Sequence, residues 1–186
     1  MAMIISLCGF MGAGKSTVGK FLSNYLGIGF IDLDDMLEKR FGCSISDYFA
    51  KNGEESFRKE EYNALRDIFT RPEKDMVLAL GGGTLTKPES AELVKNNSIV
   101  VYLYCSEDAL YKRLVKGKAR RPLLADKSEE GLREEIRLLT ARREHIYKSA
   151  ANFTVDTSIW GLERIIGQIA GLLPLPADES QETGTK

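Results

Sequence analysis

The segment Gly9-Phe10-Met11-Gly12-Ala13-Gly14-Lys15-Ser16-Thr17 has the GxxxxGK[ST] spacing of a phosphate-binding loop. Glycines let successive backbone N–H groups curl around phosphate oxygens, and a helix starting near Lys15 would add its positive dipole end. In that geometry Gly12, Ala13, Gly14, Lys15, Ser16 and Thr17 bind a nucleotide's phosphates. Lys15 reaches the β- and γ-phosphates, and the Ser16 hydroxyl ligates Mg²⁺. The plain alternative is a glycine-rich strand-to-helix turn carrying an exposed lysine. The chain has neither DxxG nor NKxD, so a guanine-nucleotide switch is disfavoured.

Acids and arginines elsewhere supply what a second substrate needs. Asp32-Leu33-Asp34-Asp35 closes an apolar run, and in extended backbone Asp32 and Asp34 point the same way. One carboxylate would serve the Mg²⁺ shell through water while the other accepts the proton of an attacking hydroxyl. The competing reading makes Asp34 the N-cap of a helix starting at Asp35, with Glu38 closing a capping box. Arg58 is in helical register with Tyr62, Leu65 and Phe69, and Arg143 shares a face with Leu132, Ile136, Leu139 and Ile146. An inward guanidinium needs a partner. A ligand carboxylate gripped from two sides would be one; Glu61, three residues after Arg58, is another, either as an ion pair or as an orienting group. Gly81-Gly82-Gly83 suits a ligand lying against the backbone, or a tight exit turn. Residues 109–125 contain no acid but carry Lys112, Arg113, Lys116, Lys118, Arg120 and Arg121, a composition suited to a lid over polyphosphate or to a solvated basic loop.

These residues need a frame that brings them together. Apolar runs at 4–8, 29–33, 76–80, 99–104 and 153–156 read as strands. Helical spacing follows from residue 15 and at 35–41, 54–69, 88–95, 107–115, 129–148 and 159–172. Such alternation predicts a three-layer α/β fold with a parallel sheet covered on both faces. Helical material from 44 to 69 is inserted between the second and third strands. The polar stretch 174–186 is expected not to order by itself.

The chain has 186 residues, 43% hydrophobic and 28% charged, enough for one domain with one sizeable core. With 26 Lys+Arg against 27 Asp+Glu the net charge is −1, which argues against nucleic acid or an anionic membrane as partner. The longest apolar stretches, at 3–8 and 165–173, fall short of the roughly 20 residues needed to cross a bilayer. No basic leader is visible, so a cytoplasmic location is expected. Cys8, Cys43 and Cys105 with a lone His145 suggest neither a disulfide framework nor a zinc site.

Taken together, GFMGAGKSTVGK at 9–20, DLDDMLEKRFG at 32–42, GEESFRKEE at 53–61, LALGGGT at 78–84 and RPLL at 121–124 resemble the shikimate kinase family from about residue 4 to 173. The resemblance implies a P-loop, nucleoside-monophosphate-kinase-like fold with a five-stranded parallel sheet. It divides a single kinase domain (1–173) into a core, a substrate-binding helical insertion at 34–70 and a lid at 112–128. It implies transfer of the γ-phosphoryl of ATP, with Mg²⁺, to the 3-hydroxyl of shikimate on the route to chorismate and aromatic amino acids, by a monomer. Carried over, Ser16 and Asp32 serve the metal, and Lys15, Asp34 and Arg121 are catalytic, Arg121 also binding ATP from the lid. Asp34, Arg58, Gly82 and Arg143 hold shikimate. The family's RxPLY becomes Arg143-Glu144-His145-Ile146-Tyr147, which leaves a register shift to Arg142 open, although the helical face favours Arg143. The rival functions are another small-metabolite kinase, such as gluconate kinase, and a nucleotide-binding homologue without turnover. An acceptor lacking a carboxylate would leave Arg58 and Arg143 unexplained.

Overall fold

Apolar β-branched runs are most economically buried when both faces of a sheet are covered, and this chain follows that rule. A computed structural model describes residues 2–70, 74–116, 128–159 and 161–174. Among these residues five strands, β1 (Ile4–Cys8), β2 (Gly29–Asp32), β3 (Met76–Ala79), β4 (Ile99–Tyr104) and β5 (Phe153–Asp156), form one sheet of order β2-β3-β1-β4-β5. Every pairing is parallel, with Ile5 opposite Val77 and Ile99 across the centre. The carboxyl ends of all strands therefore share one edge. Beside β1 the connections depart in opposite directions, toward β2 from β1 and toward β4 from β3, which opens a crevice for ligands at that edge.

Helices α1 (Lys15–Leu26), α2 (Leu33–Phe41), α3 (Ile45–Thr70), α4 (Pro88–Asn97), α5 (Glu107–Lys116), α6 (Glu129–Ala150) and α7 (Leu162–Leu172) make the outer layers. Alternation along β1 divides the core. Ile5 and Leu7 pack with Leu22, Leu110 and Ile169, from α1, α5 and α7. Ile4 and Cys8, on the other face, pack with Leu37, Leu65 and Tyr147, from α2, α3 and α6. Helix α6 serves both cores, with Leu132 and Ile136 in the first and Tyr147 and Ala150 in the second.

Several boundaries differ from the sequence expectation. The helical material expected from 44 to 69, with regular spacing only at 54–69, is α3, which starts at Ile45 and breaks at Gly53, whose φ of 80° and ψ of 167° separate two helical pieces. Phe41, Tyr48, Phe49 and Phe57 cluster around that bend, with Phe41 and Tyr48 stacked at 3.9 Å. Aromatic burial across the break stabilises a segment whose local periodicity is interrupted. The last helix starts at Leu162 rather than 159, and Ile159 is exposed. Residues 112–116, the first part of the expected lid, are the last turns of α5, and Ser128 caps α6 by accepting from the Gly131 N–H. The intervening lid residues and the stretch 175–186 lie outside the described residues.

Candidate active site

The phosphate loop runs from the carboxyl end of β1 into α1. Gly9 and Gly14 adopt φ of 142° and 101°, where a side chain would be strained, and a Cβ on Gly9 would lie 2.6 Å from the Leu103 carbonyl oxygen. Helix α1 has no side chain capping its N-terminus and no acid in its first turn, so its leading N–H groups face the loop's interior. Lys15 Nζ donates to the carbonyls of Gly9 (2.9 Å) and Phe10 (3.2 Å), which holds the ammonium across the loop. Residues 12–17 all line a cleft of about 490 Å³. Asp32, Asp34 and Gly82 line the same cleft, so the expected phosphate site and part of the expected acceptor site share one space.

The acid pair is built differently from the extended arrangement expected. Strand β2 stops at Asp32, and Leu33 is already helical. Asp32, not Asp34, is the N-cap: its Oδ1 accepts from the N–H groups of Asp34 (3.1 Å) and Asp35 (3.3 Å). The reading of Asp34 as a cap is therefore corrected, because the carboxylate two residues before Asp34 reaches the free N–H groups first. Asp34 is thereby released toward the cleft. Burial pushes its carboxyl up to about 6; Lys15 counteracts this, while Asp32, Glu61 and Glu38 reinforce it.

On the acceptor side, Arg58 Nη1 donates to Glu61 Oε2 at 2.7 Å, and Glu61 is only 1% exposed. The other oxygen, Oε1, accepts from the hydroxyl of buried Thr84 at 2.6 Å. The triple glycine makes room for this cluster. A Cβ on Gly81 would sit 2.7 Å from Asp34 Oδ1, 3.0 Å from Thr84 Oγ1 and 3.2 Å from Glu61 Oε1, and one on Gly83 would collide with the Arg58 guanidinium. Arg143 Nη1 lies 3.4 Å from the Gly82 carbonyl, which also accepts from the Tyr147 hydroxyl at 2.6 Å. Arg142 is exposed, so Arg143 is the arginine of this helix that faces the glycines. Burial pushes the Tyr147 phenol up to about 12, so it remains a donor at neutral pH. Burial likewise pushes the Cys8 thiol up to about 12, which removes it as a nucleophile.

One residue placed in the basic lid by composition belongs elsewhere. Arg113 lies in α5 beneath the phosphate loop, where Nη1 donates to the Ala13 carbonyl at 3.2 Å and Nη2 to the Thr157 carbonyl. Thr157 Oγ1 lies 3.1 Å from the same Ala13 oxygen. The signal was present: Arg113 sits between Leu110 and Leu114 on a helical face, the pattern that singled out Arg58 and Arg143. Thr84 and Tyr147 lie inside quoted stretches, LALGGGT and Arg143 to Tyr147, but nothing in those stretches said what their hydroxyls would meet. Arg121 lies outside the described residues, as do Lys118 and Arg120.

The donor set fits Mg²⁺ accompanying a nucleotide. Ser16 and Asp32 line the cleft, and no group of three or more His, Cys, Asp or Glu suited to a metal occurs among the described residues. A cation that keeps waters and phosphate oxygens needs few protein ligands. Nor is any helix among the described residues long and apolar enough to cross a membrane.

A family model described as shikimate kinase matches residues 11–173. A shikimate kinase of Enterococcus faecalis is 38% identical over 166 residues, covering 89% of this chain and 95% of its own length. One from Chlorobium phaeobacteroides is 44% identical over 161 residues, covering 83% and 82%. The structure of shikimate kinase from Acinetobacter baumannii in complex with shikimate has a TM-score of 0.83 at 35% identity, over 92% of this chain and 93% of that one. The enzyme from Aquifex aeolicus gives a TM-score of 0.73 at 33% identity, over 90% and 94%.

Proposed function

This chain belongs to the shikimate kinase family and is a kinase that phosphorylates a hydroxyl of shikimate; on that premise we propose how its cleft divides the work. The γ-phosphoryl of ATP moves to the 3-hydroxyl of shikimate. The hydroxyl oxygen bonds to the γ-phosphorus as its proton passes to Asp34, the bond from that phosphorus to the bridging oxygen breaks, and ADP leaves with that electron pair. Residues 12–17 bind the phosphates through backbone N–H groups, and Lys15 balances charge on the transferring group. Mg²⁺, when bound, neutralises phosphate charge; Ser16 would hold it and Asp32 would serve its outer shell. Asp34 accepts the hydrogen bond of the attacking hydroxyl and orients it. Arg58 and Arg143 grip the carboxylate while the Gly82 backbone lies against the ring. Arg121 keeps the role that the resemblance implies, supporting the phosphates from the lid at 112–128.

One observation carries this division: Lys15, Asp34 and Gly82 line a single cleft, and the arginine cluster adjoins it at the three glycines. A phosphate donor and a carboxylate-bearing acceptor thus meet with one carboxylate, Asp34, between them. The test is coupled ADP release with shikimate and Mg·ATP, with gluconate as a second acceptor. Wild type turns over shikimate, and Asp34→Asn and Arg58→Ala each abolish turnover. Full activity in either variant, or preference for gluconate, would overturn the assignment.

A further inference from the structure

Glu61 is a buried carboxylate whose two oxygens have different partners. Oε2 meets Arg58 Nη1 at 2.7 Å, and Oε1 meets the Thr84 hydroxyl at 2.6 Å, with Thr84 wholly buried. A hydroxyl has one hydrogen to give, and here it points to a carboxylate that can only accept when ionised. Among the described residues Arg58 has no comparably close second anchor. Its contacts to Glu54 are 3.4 Å long, and the Glu54 side chain is 65% exposed. The guanidinium therefore takes its direction from Glu61, and Glu61 takes its own from Thr84.

The surroundings point the same way. Thr84 Oγ1, Glu61 Oε1 and Asp34 Oδ1 converge on the bare Cα of Gly81, each within about the reach of one missing methyl group. Thr84 opens the short 3₁₀ turn Thr84–Thr86 directly after the glycines. Its backbone N–H is anchored to the Gly81 carbonyl at 3.3 Å. The hydroxyl thus ties Glu61 on α3 to the glycine segment at the sheet edge, the two parts that must stay in register for a carboxylate to be read.

We propose that Thr84 is a positioning residue for acceptor binding, its hydroxyl locking Glu61 so that Glu61 aligns Arg58 toward the acceptor's carboxylate. The proposal rests on the reading that Arg58 grips that carboxylate. Without the hydroxyl, Oε1 is left buried and unpaired, and Glu61 turns to recover a partner, taking Arg58 with it. The phosphate loop has no part in this relay.

The test is calorimetric titration and steady-state kinetics of Thr84→Val and Thr84→Ser. Val keeps the branched shape and loses the hydroxyl; it is expected to weaken shikimate binding about tenfold, leaving Mg·ATP binding within twofold and kcat at saturating shikimate within about threefold. Ser is expected to restore shikimate affinity to within about twofold. Unchanged shikimate affinity in Thr84→Val, equal loss of both ligands, or failure of Ser to rescue would overturn the proposal. Should Val not fold, Thr84→Ala carries the same expectation. If neither hydroxyl-free variant folds while Ser is normal, the hydroxyl is structural and the proposal falls. Wild-type protein that binds no shikimate would instead defeat the assigned substrate. In that event the Arg58 Nη–H resonances decide about Thr84: separate in wild type and collapsed in Thr84→Val if the relay exists, alike in both if it does not.

Discussion

The two halves of the cleft are made by opposite means. The proposed phosphate side is one unbroken segment, residues 9–17, whose shape comes from glycine dihedrals and which offers mainly its own N–H groups. The acceptor side gathers Asp34 from α2, Arg58 and Glu61 from α3, Gly81 to Thr84 after β3, and Arg143 and Tyr147 from α6. On the first side a polyanion would be recognised by backbone, and a local change stays local. On the second, recognition depends on buried charges holding one another, so a change at one member is felt by the rest. Generic phosphate binding tolerates a common loop, whereas reading one particular small acid needs side chains from several directions.

Removing the shared cation should do the most damage. Lys15→Met is expected to lower kcat by about a thousandfold or more while leaving the melting temperature within a few degrees, as measured by coupled assay and thermal denaturation. A comparable loss of shikimate affinity without a kcat effect would show that Lys15 belongs to the acceptor half.

Asp34→Asn tests the carboxylate between the halves. Besides abolishing turnover, it should make the protein more stable near neutral pH. The Asp34 carboxyl is raised from 3.8 to about 6, chiefly by burial, so the folded state holds its proton more tightly than the unfolded chain. That contribution favours the fold below pH 3.8 and is lost as pH rises to about 6, a difference of up to about 3 kcal/mol. The stability gained by Asp34→Asn over wild type should therefore be larger in denaturant titrations at pH 8 than at pH 4. In wild type, kcat/KM for shikimate should rise with pH through about 6 if Asp34 must be ionised to act. A flat profile across that range would leave Asp34 only an orienting role.

Gly81→Ala should separate the halves most cleanly. Its Cβ would press on Asp34, Thr84 and Glu61 together, so KM for shikimate should rise by one to two orders of magnitude, roughly the 1–3 kcal/mol of an overpacked site. KM for ATP should move less than about threefold. Equal changes in both would mean that the cleft behaves as one unit. The smallest effect is expected from Tyr147→Phe, which removes one hydrogen bond to the Gly82 carbonyl and should raise KM for shikimate about fivefold, or about 1 kcal/mol.

The contrast also explains what could be read without coordinates. The strands, the phosphate loop and the inward arginines Arg58 and Arg143 all follow from short-range pattern: an apolar run, a glycine spacing, a helical face. Which of Asp32 and Asp34 caps α2 did not follow, because capping depends on where α2 begins, and two residues of difference exchange the cap for the cleft acid. The inserted helical material from 44 to 69 was legible as such, but its regular spacing only from 54, because Gly53 interrupts the periodicity and aromatic packing carries the helix across it. Arg113 was assigned by the basic composition of its neighbours, although its position between Leu110 and Leu114 places it under the loop.

From the sequence alone came the α/β class, the donor half of the cleft and the kinds of residue awaiting an acceptor. These are local properties, carried by dihedral preference and periodicity over a few residues. Only the tertiary structure decided that the Thr84 hydroxyl meets Glu61, that the Tyr147 hydroxyl meets the Gly82 carbonyl, and that a side chain on Gly81 would press on Asp34, Thr84 and Glu61. Those facts depend on distances between segments far apart in the chain, which hydrophobic burial around β1 brings together and no spacing along the chain encodes.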